Sequence, residues 1–125
     1  MTLSGGEKQR VQFARVLAQI WYPAQGKCRY LFLDEPLTFL DIHYQFDFIH
    51  KAVDLLKNED MVIVGIVHDL NLAAKYADHI VLLHQGRVLA SGDRQTVLTK
   101  SNIKQAFQLE PMIHEEYGTM FLHFS

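Results

Sequence analysis

Two carboxylates, Asp34 and Glu35, close the short apolar run Tyr30-Leu31-Phe32-Leu33. An acid pair in that place suits nucleotide hydrolysis, because Asp34 can hold Mg2+ directly or through water while Glu35 polarises an attacking water. Alone, two acids at a strand end more often mark a solvated turn. Near the start of the chain, Ser4-Gly5-Gly6 leaves backbone N–H groups beside a hydroxyl, with no side chain to keep a phosphate away. Glu7, three residues after Ser4, gives the same segment an ordinary structural use as a capping box. His68 follows a second apolar run, residues 62–67, and can hydrogen-bond a terminal phosphate or the water that attacks it. The coincidence of three anion or metal elements points to phosphate chemistry more strongly than any one of them.

Those groups need elements to hold them. Phe13, Leu17, Ile20 and Trp21 recur at helical spacing behind Ser4, so a helix is expected from near Gly5 until Pro23 and Gly26 end it. Residues 30–33 and 62–67 are continuously apolar, as in strands buried on both faces. Between them Ile42, Phe46, Ile49, Val53 and Leu56 mark an amphipathic helix that ends at Asn58-Glu59-Asp60. Asp69 is placed to cap a third helix through Leu70, Leu72, Ala73, Tyr76 and Ala77. Strand, helix, strand, helix predicts an α/β fold with a mostly parallel sheet and flanking helices, whose ligands bind beyond the carboxyl ends of the strands. Asp34, Glu35 and His68 all belong at that edge. Further on, residues 80–84 and 87–90 flank Gln85-Gly86 and predict a hairpin. Short helices near 96–98 and 101–109 and a strand-like segment at 120–124 complete the pattern, and the residues after Gln108 match no motif.

At 125 residues, 49% hydrophobic and 21% charged, the chain has the size and composition of one small globular domain. A net charge of -2 provides no positive field for nonspecific nucleic-acid binding. The lone Cys28 and an opening without an apolar signal core predict a reducing cytosol. No apolar run approaches the ~20 residues of a membrane-spanning helix, so membrane association is expected through a partner.

Leu3-Ser4-Gly5-Gly6-Glu7-Lys8-Gln9-Arg10 resembles the signature of ABC ATPases, and Tyr30-Leu31-Phe32-Leu33-Asp34-Glu35-Pro36 resembles their Walker B strand. Leu40-Asp41 is similar to the D-loop, His68 in Val67-His68-Asp69-Leu70 to the switch histidine, and residues 77–88 to the transporter-type members. The likeness runs from Leu3 to about Leu98. It divides the chain into a signature helix (4–21), a Walker B strand (30–35), a D-loop (37–41), a switch-histidine strand (62–68) and a C-terminal hairpin with helices (80–125). Within the family, residues 14–21 and 68–78 are most similar to ATPase subunits of bacterial haemin importers. Importers of iron-siderophore complexes and cobalamin share much of the same pattern. The resemblance implies ATP and Mg2+ as cofactors, with Asp34 on the metal, Glu35 and His68 catalytic, and Ser4, Gly5, Gly6 and Asp41 on the nucleotide. It also implies a second nucleotide-binding domain as homodimer partner, membrane permease subunits, a periplasmic binding protein acting indirectly, and a peripheral place on the cytoplasmic face of the bacterial inner membrane.

Leu37 and Phe39 stand where the family usually carries small or hydroxylic residues, beside the D-loop. No Gly-x-x-x-x-Gly-Lys-Ser/Thr occurs in the sequence, so the loop that cradles phosphates is missing. The Gln-containing loop that normally precedes the signature is missing too. The expectation is a P-loop NTPase domain represented by its C-terminal half, with negligible ATP binding and hydrolysis by this chain alone. A non-enzymatic truncated fragment and an ATPase of the DNA-repair class are the rival readings; the acidic balance and the absence of heptads weigh against the second. His43 and His50, seven apart on a helix, have no third or fourth metal ligand at a recognisable spacing.

Overall fold

The computed structural model describes residues 2, 4–20, 28–34, 42–57 and 60–124. The chain divides into two compact units, Met1–His68 and Asp69–Ser125.

In the first unit, α1 (Gly5–Ile20) is followed by β1 (Arg29–Asp34), α2 (Ile42–Leu56) and β2 (Met61–Ile66). The expected helix end at Pro23 and Gly26 lies outside the described residues. β1 and β2 pair in parallel, Arg29 opposite Met61 through Asp34 opposite Ile66, and the Arg29 N–H donates to the Asp60 carbonyl at 2.8 Å where the pair begins. Because side chains alternate across a strand, this register gathers Tyr30, Phe32, Val62, Val64 and Ile66 on one face and Leu31, Leu33 and Ile63 on the other.

The expectation of burial on both faces is corrected here. Leu31 is 2% exposed, but Phe32 is 71% exposed and Tyr30, Val62, Val64 and Ile66 are exposed with it. The described residues contribute only two strands to this sheet, and only one of its faces is covered. At about 25 cal/mol per Å² of apolar surface, a few hundred Å² left in water forfeits several kcal/mol.

The second unit runs α3 (Leu70–Tyr76), β3 (Ile80–His84), β4 (Arg87–Gly92), α4 (Arg94–Val97), α5 (Lys100–Phe107), β5 (Pro111–Glu116) and β6 (Thr119–Phe124). Two antiparallel hairpins, β3–β4 and β5–β6, form its sheets. Gln85 and Gly86 both take positive φ, at 50° and 73°, and so do Tyr117 and Gly118, at 50° and 75°; such turns match the twist of the strands they join. Ala74, Ile80, Leu82, Val97, Leu98, Ile103, Met120 and Leu122 form the buried cluster. Three helices here start on oxygen caps: Asp69 accepts from the N–H groups of Asn71 and Leu72, Asp93 from Thr96, and Thr99 from Asn102.

The cap at α4 carries a pH dependence. The Thr96 backbone N–H, 2.7 Å from Asp93 Oδ1, holds the Asp93 carboxyl below its ordinary value, and the Thr96 hydroxyl adds to the effect. A carboxyl depressed in the folded state contributes stability that is fully present above its unfolded pKa and lost as pH falls through its folded pKa. Asp54, lowered by Lys57, and Glu110, lowered by Lys104, act in the same direction. Urea unfolding from about pH 6 down to about pH 3 is expected to show falling midpoints. Asp93→Asn, which keeps a good cap acceptor, should give a shallower fall, and an unchanged slope would remove Asp93 from the account.

Candidate functional site

The parallel register brings two of the sequence-predicted groups to one edge. Asp34 ends β1 opposite Ile66, and His68 stands two residues beyond Ile66, so at most about 7 Å of chain advance separates the Asp34 rung from His68. Both residues are exposed. They lie at the carboxyl ends of parallel strands, beyond which ligands of such sheets bind. An exposed carboxylate there fits Mg2+, which keeps several of its waters and takes one or two protein carboxylates. Glu35 and Asp41, together with Leu37 and Phe39, lie outside the described residues.

Ser4 and Glu7 form the reciprocal capping box that their spacing predicts. The Ser4 N–H donates to Glu7 Oε2 at 2.9 Å, and the Glu7 N–H donates to Ser4 Oγ at 3.2 Å. The Lys8 N–H reaches the Ser4 carbonyl at 3.0 Å. Helix geometry then leaves the Gly5 and Gly6 N–H groups without an intrahelical acceptor, and the Ser4 hydroxyl keeps its own proton to donate. A Cβ added at Gly5 would meet nothing within 4 Å, so the turn is open to an approaching anion. These bonds of Ser4 stay within its own turn and do not join it to the Asp34 edge.

Beyond His68, Asp69 caps α3 as its position predicts, whereas Asn71 has a role that no motif marks. The Asn71 side-chain amide accepts from the Leu122 N–H at 2.8 Å and donates to the Leu122 carbonyl at 3.0 Å. It thereby completes an edge of β6 as a neighbouring strand would. Arg94 adds donations to the carbonyls of Gly118, at 2.7 Å, and Ala74, at 3.3 Å. Fifty-one residues separate Asn71 from Leu122, and no local pattern announces the pair.

No protein-family model matches the chain. The hemin import ATP-binding protein HmuV of Mesorhizobium japonicum is 52% identical over 106 residues, covering 84% of this chain and 40% of that protein. The protein of the same name from Bordetella avium is 46% identical and covers 98% of this chain and 48% of its own length. The chain thus spans less than half the length of these curated relatives. Among solved structures, a metal-chelate type ABC transporter in an inward-facing conformation superposes with a TM-score of 0.76 at 27% identity, over 98% of this chain and 47% of that one. A bacterial Atm1-family ABC exporter with ATP bound superposes with a TM-score of 0.60 at 33% identity, over 77% of this chain and 15% of that one.

Proposed function

This chain belongs to the ABC ATPase family, and from that premise we propose that it is the C-terminal part of the ATP-hydrolysing subunit of a bacterial importer whose cargo is haemin. The carrying observation is the β1–β2 register, which sets Asp34 and His68 at one sheet edge, in a chain about half identical to hemin import ATP-binding proteins. Asp34 holds the Mg2+ that neutralises phosphate charge, Glu35 takes the proton of the attacking water, and His68 hydrogen-bonds the terminal phosphate. The Ser4 hydroxyl and the Gly5 and Gly6 N–H groups close over the γ-phosphate of ATP held by a second nucleotide-binding domain, with Asp41 in the adjoining contact. The phosphate cradle comes from a segment other than these 125 residues, since the sequence contains no such loop.

The subunit works with membrane permease subunits on the cytoplasmic face of the inner membrane, and with a periplasmic binding protein at one remove. Among the described residues no helix is long and apolar enough to cross a membrane. The likeness to a metal-chelate type transporter favours siderophore or cobalamin import as the second reading.

Growth separates the two. A strain carrying Glu35→Gln in the gene for this chain is expected to stop growing on haemin as sole iron source while growing normally on free iron salts. Normal growth on haemin, with loss of siderophore-iron or cobalamin use, would replace the first cargo by the second.

A further inference from the structure

Three residues, Val67, His68 and Asp69, link the end of β2 at Ile66 to the start of α3 at Leu70. The last of them is fixed as the cap of α3, Asp69 Oδ1 accepting from the N–H groups of Asn71 at 2.8 Å and Leu72 at 3.2 Å. With seven residues, α3 is too short to be stable through its own backbone bonds, so its place depends on what it is tied to. Two side chains tie it to the β5–β6 hairpin. In its first turn, the Asn71 amide satisfies both the N–H and the carbonyl of Leu122. Further along, the Ala74 carbonyl accepts from Arg94, whose other terminal nitrogen donates to the Gly118 carbonyl in the hairpin turn. The Leu122 side chain is 3% exposed and belongs to the buried cluster, so Asn71 grips the hairpin at a rung that a close-packed core holds still.

We propose that Asn71 is a positioning residue for His68, a role that rests on the ATPase reading and lies one residue beyond the motif Val67-His68-Asp69-Leu70. An imidazole that hydrogen-bonds a phosphate has to stand within about 2.6 to 3.2 Å of it, and a misplacement of about 1 Å costs up to about a hundredfold in rate. His68 is exposed and lies in neither a strand nor a helix, so the chain that follows it helps to set where its backbone stands. Asn71 governs that chain through both of its halves: its N–H donates to the Asp69 carboxylate, and its side chain anchors the same turn to Leu122. An amide suits the task because it offers a donor and an acceptor side by side, matching the N–H and carbonyl of one strand residue. With Ala at 71 water replaces the amide, the first turn of α3 is released, and Asp69 and His68 move with it. Asn71 acts on the reaction only through His68.

The test is steady-state ATP hydrolysis by the assembled ATPase carrying Asn71→Ala, His68→Ala or both. Asn71→Ala is expected to lower kcat roughly ten- to a hundredfold while KM for ATP stays within about twofold. With His68→Ala already present it should lower kcat no further, because residues that act as one unit are not additive. Asn71→Asp, which keeps the acceptor for the Leu122 N–H and loses the donor, repeats the comparison with a milder change and should show the same dependence on His68. Ile103→Ala loosens the second unit without touching these bonds and, per folded molecule, should leave kcat within about twofold, which separates positioning from lost stability. Normal kcat in Asn71→Ala, or an equal loss with His68 present and absent, would overturn the proposal and leave the ATPase reading standing. Normal kcat in His68→Ala would remove the role of His68 and this proposal with it. Hydrogen exchange of the nucleotide-free protein reads the same bonds apart from hydrolysis. Asn71→Ala should speed exchange at the Leu72 and Ala73 amides, whose acceptors are Asp69 Oδ1 and the Asp69 carbonyl. Exchange there at the parent rate would overturn the proposal whether or not the chain hydrolyses ATP.

Discussion

Under the proposed function, Glu35→Gln in the assembled ATPase is expected to cut steady-state phosphate release by roughly 10²- to 10⁴-fold, the range for removing a positioned general base. At ~1.36 kcal/mol per factor of ten, the loss is about 3 to 5.5 kcal/mol of transition-state stabilisation. Gln keeps the size and hydrogen-bonding capacity of Glu but cannot take a proton at neutral pH. ATP binding should therefore survive while turnover stalls, and the variant should accumulate as an ATP-bound dimer on size exclusion. Asp34, one residue earlier and at the same sheet edge as His68, is proposed to hold the metal, so its removal should weaken Mg-ATP binding as well as turnover. The 125 residues by themselves should release phosphate at background, since each charge-assisted hydrogen bond of an absent phosphate cradle would have contributed about 1.5 to 3 kcal/mol. Normal turnover in Glu35→Gln would remove Glu35 from the base role, and turnover by the chain alone that this change abolishes would mean that the missing loop is not needed.

What could be read in advance follows the range of the interactions involved. The start of α1 was legible because Ser4 and Glu7 bond each other across three residues. β1 and β2 were legible as unbroken apolar runs, and β3–β4 as two such runs about Gln85-Gly86. β5 was missed for a local reason: Pro111 at its start and Glu115-Glu116 at its end break the apolar signal. Its turn hides the same way, because Tyr117 takes the positive φ that Asn or Asp usually marks. The Asn71–Leu122 bonds were illegible for the opposite reason, depending on a fold that brings distant residues together. At the site, strand order alone places Asp34 and His68, whereas the capping box at Ser4 is legible because its two bonds span only three residues.

The open face of β1–β2 illustrates a limit of composition as a guide. Tyr30, Phe32, Val62, Val64 and Ile66 specify cover on a face that the described residues leave in water. A continuous apolar run encodes the environment of a strand in its finished setting, and this chain spans less than half the length of its curated relatives. The first unit therefore has little stability to spare, and the second, with its own buried cluster, is where core mutations can be read cleanly.

There the largest effect should come from Ile103→Ala. Ile103 is 0% exposed, on α5 among Val97, Leu98 and the inner faces of both hairpins. Truncation removes three carbon atoms from a site already closed on every side, so lost transfer free energy and an unfilled cavity add, giving about 2 to 5 kcal/mol. A unit of this size has roughly 3 to 8 kcal/mol in total at the usual 0.05 to 0.15 kcal/mol per residue, and one substitution takes a large share of it. Hydrogen exchange should register this as loss of protection at the Leu82 and Leu122 amides, which belong to the two strands that the cluster joins. Phe107 ends the same helix at 42% exposed, and Phe107→Ala should cost less than about 1 kcal/mol. If the two variants unfolded at the same urea concentration, α5 would not be packed through Ile103, and the cluster would not be what holds the second unit together.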